Sequence, residues 1–158
     1  TEAIILPSHE AVSESNDEWQ GCTALKTIIN GVNFINFLPA YELKDNNNNC
    51  KLSDYYRKSD IEFILRKYKD TPTVVIGDFH VKPNADGTNT ILQKFGFNSF
   101  IDDAKSFKAC KDKELINLDK CVSNIDITVD EIKVYDNVYT ERGHYAITYN
   151  LHLPKLDK

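Results

Sequence analysis

The run Thr73-Val74-Val75-Ile76-Gly77 limits the possible folds more than any other stretch of the chain. Its four consecutive β-branched residues favour extended backbone, and a strand with no polar alternation is covered on both faces. A domain built around such a strand needs a layer on each side of a sheet. The chain has 158 residues, enough for one domain with one core.

The flanking patterns supply those layers. In residues 22–38, two apolar, β-rich runs are separated by Asn30-Gly31, a pair that tolerates the positive φ angles of a type I′ turn and so predicts a hairpin. Ser59-Asp60-Ile61-Glu62 has the form of a capping box. Ile61, Ile64, Leu65 and Tyr68 follow at helical spacing, predicting an amphipathic helix from there to about Lys69, closed by Asp70 and Pro72. Thr88 or Asn89 is placed to cap a short helix carrying Ile91, Leu92 and Phe95, and Gly96 to end it. Alternating apolar and polar residues predict strands at 97–101, 124–129, 131–135 and 144–153. The order is an α/β (α+β layered) one, with a mixed, largely antiparallel sheet and flanking helices. Residues 1–21 read as an N-terminal arm tied down by Trp19, residues 22–158 as the domain, and Asn46–Asn49 as an exposed loop.

Charge narrows the partners. Nineteen Lys and Arg against 24 Asp and Glu give a net charge of −5, which disfavours a general phosphate-tracking surface and argues against nucleic acid as a partner. The basic stretch 105–113 has no Arg and a single aromatic, and reads as a solvated loop. No apolar run approaches the ~20 residues of a membrane span, so no membrane partner is expected. Cys22, Cys50, Cys110 and Cys121 include no C-x-x-C pair, which argues against zinc held by cysteines; two disulfides in three connectivities stay open. With no leader segment recognised and no N-x-[ST] sequon, the compartment is unassigned.

Four ordered segments resemble one family. Gly77-Asp78-Phe79-His80 is similar to the G-D-F-N that ends a buried strand in endonuclease/exonuclease/phosphatase (DNase I-like) domains, with His80 in place of the Asn. Arg142-Gly143-His144 followed by an alternating strand resembles the C-terminal S-D-H, with Gly143 for the Asp. Leu118-Asp119-Lys120-Cys121 resembles L-D-x-I, and Phe34-Ile35-Asn36-Phe37-Leu38-Pro39 resembles the N-x-H-L-P strand end, with Phe37 for the His. The likeness covers about 22 to 153 and is similar in particular to the endonuclease domains of insect-type retroelements. It implies the C-terminal part of the domain, a truncated sandwich without the half that carries a first Asn and a metal-binding Glu.

The resemblance implies Mg²⁺-assisted phosphodiester hydrolysis, but the retained set is incomplete. On this reading Gly143 leaves His144 without an orienting carboxylate, and Phe37 cannot donate to phosphate. Asp78, His80, Asp119 and His144 are then vestigial, with no cofactor expected. Each also has a plainer role: Asp78 capping a turn, Asp119 capping or pairing with a Lys, His144 bonding a neighbour. His80 and His144 together would be a new metal pair lacking a third ligand in view. The tyrosines read as sheet residues. The function expected is a non-catalytic structural or binding protein that self-associates through the exposed half-sandwich, or pairs with a complementing chain, in the manner of an insect-virus or insect structural protein. The alternative is an Mg²⁺-dependent phosphodiesterase completed by a partner chain, with Asp78, Asp119 and His144 at work and Asp78 on the metal.

Overall fold

The computed structural model describes residues 1–8, 23–39, 51–80, 87–101, 104–107, 116–139 and 143–155. Strands β1 (Glu2–Ile5), β2 (Thr23–Ile29) and β3 (Val32–Leu38) lead into helix α1 (Lys51–Tyr68) and strand β4 (Thr73–Asp78). Helix α2 (Thr88–Lys94) and strands β5 (Asn98–Ser99), β6 (Asp119–Ser123), β7 (Thr128–Tyr139) and β8 (Tyr145–His152) complete the order. The main sheet runs β1-β2-β3-β4-β6-β5, and β7 and β8 form a second, two-stranded sheet. Among the described residues only β3 and β4 pair in parallel, the crossover that α1 makes possible. Among the described residues this is a mixed, largely antiparallel α/β arrangement, as the residue patterns predict, with a six-stranded and a two-stranded sheet, as a truncated sandwich implies.

Two cores follow from the alternation in the central strands. Ile35 and Phe37 on β3, Val75 on β4 and Val122 on β6 face the helices, where Ile61, Ile64 and Leu65 of α1 meet them. Val74, Cys121 and Ile127 face the other way, and Ile76, Ile147, Tyr149 and Leu151 pack there from β4 and β8. Val74 and Val75 are both fully buried, as the apolar run at 73–76 requires. The Asn30-Gly31 turn has φ of 51° and 82°, the positive pair of a type I′ hairpin. Gly96 ends α2 with φ 75°, while its N–H reaches the Gln93 carbonyl and that of Phe97 the Leu92 carbonyl, a Schellman closure.

Several expectations are corrected. The Ser59–Glu62 box caps nothing, because α1 already begins at Lys51. Asp60 is instead buried within the helix, where its carboxylate accepts from the Ser8 N–H at 3.0 Å and the Ser8 hydroxyl at 2.6 Å. Residues 2–5, read as part of an arm, form the edge strand β1, since Ile4 has a core place opposite Ala24. Trp19, Asn46–Asn49 and Lys111–Lys113 lie outside the described residues.

Helix α2 starts from Gly87 at φ 105° with no side-chain cap, and Thr88 is buried inside the first turn. The strand expected at 97–101 shrinks to Asn98–Ser99, because the Phe97 N–H is already used by the end of α2. Residues 124–127 are a connection, and β7 runs on from Thr128 through an irregularity at Glu131, φ 49°. Cys121 is a buried free thiol, so no framework of two disulfides uses all four cysteines. Among the described residues no helix is long and apolar enough to cross a membrane.

Candidate active site

Asp78 and Asp119 are direct cross-strand partners at the ends of β4 and β6. Both lie on the face that carries Ile76 and Cys121, opposite the helices, as strand alternation dictates. Gly77 makes this possible. Its φ is 148°, and a Cβ there would stand 2.1 Å from the Phe37 carbonyl oxygen, so only glycine lets β4 pass β3 this closely.

Asp78 then divides its carboxylate. Oδ1 accepts the His80 backbone N–H at 2.8 Å, the turn-capping role, and this holds His80 at φ 53°. Oδ2 meets two imidazoles, His80 Nδ1 at 3.0 Å and His144 Nε2 at 3.2 Å.

His144 directly precedes β8 and reaches back across the gap between the sheets. Its Nδ1 lies 3.4 Å from Asp119 Oδ2, the same oxygen that accepts the Ser106 hydroxyl. The expectation that Gly143 leaves His144 unoriented is therefore corrected. The orienting carboxylate comes from β6, 25 residues earlier in the chain, and no neighbour in sequence is needed. Phe107 lies against the imidazole with ring centroids 4.8 Å apart. The Tyr145 N–H donates to the Ser106 carbonyl at 2.7 Å, fixing the backbone from which His144 projects. Neither Ser106 nor Phe107 is a candidate from sequence; they lie in the basic stretch, whose pattern carries no hint of this contact.

The electrostatics follow the geometry. The hydrogen bond to Asp119 raises His144 above the usual imidazole range; burial opposes this, and the Asp78 charge adds to it. For Asp119, burial pushes upward, but the hydrogen bonds from His144 and Ser106 outweigh it and hold the carboxyl below its usual range. Beside Asp119 opens a groove of about 470 Å³, lined by Ile76, Tyr145, Ile147 and Tyr149. Cys121 is no nucleophile there, since burial pushes its thiol up to about 11.

Other candidates fall away from the cluster. Phe37 is buried in the helix-side core, edge-on to Phe79 at 5.0 Å, and presents nothing to this face. His152 pairs with Asp130 at 2.9 Å on the exposed hairpin. His9 lies outside the described residues.

Ligand atoms of Asp78, Asp119 and His144 lie within 4.8 Å of one another. Mg²⁺ needs a shell of oxygen atoms at ~2.0–2.1 Å. Here Oδ2 of Asp78 already has two ring nitrogens beside it, and Oδ2 of Asp119 is held by a hydroxyl and a third ring nitrogen. Two carboxylates and one imidazole make a mixed oxygen and nitrogen set, in which both Oδ2 atoms already have neighbours within the protein.

No protein-family model matches the sequence, and no curated protein sequence matches it. Solved structures do resemble it. A 3′ phosphatase from Neisseria, bound to a product DNA hairpin, superposes with TM-score 0.60 at 13% identity, over 96% of this chain and 71% of that one. A mannosyl-6-phosphatase from Bacteroides thetaiotaomicron gives TM-score 0.55 at 14% identity, over 77% of this chain and 51% of that one. An endonuclease/exonuclease/phosphatase family protein from Leptotrichia buccalis gives 0.53 at 17% identity, over 83% and 53%. The chain thus spans about half the length of the last two. With Asp78, Asp119 and His144 gathered between its two sheets, the chain has the DNase I-like fold of the endonuclease/exonuclease/phosphatase proteins.

Proposed function

We propose that the chain carries a phosphoester-directed hydrolytic site built on Asp78, Asp119 and His144. The observation that carries this reading is the hydrogen-bonded line Asp119–His144–Asp78. Asp119 fixes the ring through Nδ1 and so presents Nε2 beside Asp78, the arrangement that turns an imidazole into a positioned proton carrier. The groove next to Asp119 has room for the organic part of a phosphoester, with Tyr145 and Tyr149 as ring surfaces. Two structures of like fold are phosphatases by name, which fits a phosphoester as the substrate class. The net charge of −5 favours a small phosphoester over a nucleic-acid duplex.

The test is hydrolysis of p-nitrophenyl phosphate and of a short 3′-phosphorylated oligonucleotide, with Mg²⁺, Mn²⁺, Co²⁺ or Zn²⁺ supplied in turn. Asp119→Asn should lower turnover by about 10²–10⁴-fold, because it leaves the ring in place with the wrong proton arrangement. Absence of turnover with every ion, or turnover unchanged by Asp119→Asn, rejects the reading.

A second reading draws on a different observation. Ile5, Leu25, Ile29 and Leu38 stand exposed at the β1–β3 end of the main-sheet face whose other end the β7–β8 pair covers. Under this reading the fold serves assembly, through a second copy or a complementing chain, and the site is vestigial.

A further inference from the structure

We infer that Ser106 is the positioning residue of the Asp119–His144 line, holding the carboxylate with its side chain and the backbone beside the imidazole with its main chain. The inference rests on the hydrolytic reading and adds to it a residue that acts only through its neighbours. Three observations carry it.

The first is the hydroxyl. Ser106 is fully buried, and its Oγ donates to Asp119 Oδ2, the oxygen that His144 Nδ1 faces at 3.4 Å. A contact of 3.4 Å is at the long end for a hydrogen bond, so the ring alone holds the carboxylate weakly. A hydroxyl donating to a carboxylate makes a charge-assisted bond, shorter and about twice as strong as a neutral one. Ser106 thus sets the rotation of the carboxylate, and the ring meets an oxygen already in place.

The second is the main chain. The Ser106 carbonyl accepts the Tyr145 N–H at 2.7 Å, and Phe107 makes a β-bridge with His144 while its ring lies against the imidazole. Two consecutive residues therefore fix the carboxylate, the face of the ring and the backbone that carries the ring. They are themselves anchored just before β6, the strand of Asp119. The N–H groups of Ser106 and Phe107 donate to the Ile116 carbonyl at 3.1 and 2.9 Å, and the Phe107 carbonyl accepts the Ile116 N–H at 2.9 Å. Buried Asn117 donates to the Ile101 and Ala104 carbonyls from the same anchor. A positioned proton carrier needs a support of this rigidity.

The third is a division of labour within one residue. Tyr145 lines the groove beside Asp119, so the Ser106 carbonyl places a wall of the groove whereas the hydroxyl places Asp119. Alanine at this position removes the hydroxyl and keeps the carbonyl. Proton handling should then suffer while binding in the groove does not, a split that a merely structural residue would not produce.

The experiment uses the full chain, with kcat and KM measured on p-nitrophenyl phosphate and the His144 ring followed by NMR in protein labelled with ¹⁵N-histidine. Ser106→Ala should lower kcat by about 10–100-fold, the cost of a small misplacement of a reacting group, and leave KM nearly unchanged. The His144 Nδ1–H signal should broaden or vanish in the same variant, and Ser106→Thr, which keeps the hydroxyl, should restore both. Ser106→Cys, near the same volume but a weak donor, takes the place of Ser106→Ala should that variant lose its folded circular-dichroism spectrum. An unchanged ring signal, an unchanged kcat, or a KM that rises as far as kcat falls would overturn the inference. A parent chain without turnover whose ring signal is lost in Ser106→Ala rejects only the hydrolytic reading. Turnover that survives Ser106→Ala rejects only the positioning role.

Discussion

Asp119 and His144 stabilise each other only while one is ionised and the other protonated, so their coupling has a defined pH window. The folded value of His144 is raised, so its contribution is complete below the ordinary imidazole value of 6.5 and is lost as pH rises through the folded one. The folded value of Asp119 is depressed, so its contribution is present above the ordinary 3.8 and is lost as pH falls through the folded one. In chelator-treated protein the pair is therefore strongest between about pH 4 and 6.5. Denaturant melts should show Asp119→Asn costing about 1.5–3 kcal/mol at pH 5.5, and less at pH 9. An equal cost at both pH values would mean that His144 is neutral in the fold. Gly77→Ala is a sharper test of how the site is placed. Its Cβ would sit 2.1 Å from the Phe37 carbonyl oxygen, at a φ that alanine resists. Overpacking and backbone strain together predict a loss of roughly 2–5 kcal/mol in melts. The sequence shows Gly77, Asp78, Asp119 and His144 as separate motifs. It does not show that Asp119 serves His144, because strand register makes that pairing across 25 residues and no local pattern encodes it.

The elements that are locally specified were legible. Asn30-Gly31 dictates its own turn, Gly96 its own helix end, and the run at 73–76 its own burial, each through backbone or side-chain properties of a few adjacent residues. The start of α1 was not legible, because a polar Asp60 in mid-helix looks like a cap unless its tertiary partner Ser8 is known. The C-terminal end of α1 has a similar hidden partner. Asn124 Nδ2 donates to the Tyr68, Lys69 and Thr71 carbonyls at 3.1, 3.0 and 2.8 Å, and its Oδ1 accepts the Thr73 N–H at 2.8 Å. It thus answers carbonyls that a helix end leaves without partners and locks α1 to the start of β4. Asn124→Ala should cost about 2 kcal/mol, the net worth of two to three such bonds. Asn124→Asp should cost more, since it keeps the acceptor, loses the donors and sets a negative charge at a helix C-terminus. Equal midpoints for the two variants in thermal melts would contradict that assignment.

At the scale of the molecule, one face of the main sheet is covered unevenly. The β7–β8 pair lies over Val74 and Cys121, whereas the β1–β3 end of the same face is open. There Ile5 is 57%, Leu25 49%, Ile29 48% and Leu38 40% exposed, with Thr23 joining Ile5 to Leu38 in one cross-strand row. The open end is continuous with a packed core, because Ile29 pairs with the buried Val32. Burying the remaining half of each side chain contributes about 1 kcal/mol, so four of them supply roughly 4 kcal/mol before hydrogen bonds are counted. Patches of this kind mark association surfaces more often than free ones. If the assembly reading holds, sedimentation should show mass rising with concentration to a defined multiple of the chain. The paired substitutions Leu25→Lys and Ile29→Lys should weaken that assembly at least 100-fold, through lost apolar contact and two charges that association would bury. Because both positions are already exposed, the variant's melting midpoint as a monomer should stay close to that of the parent. A parent chain that sediments as a monomer at every concentration would remove the assembly reading and leave the hydrolytic site as the feature this fold preserves.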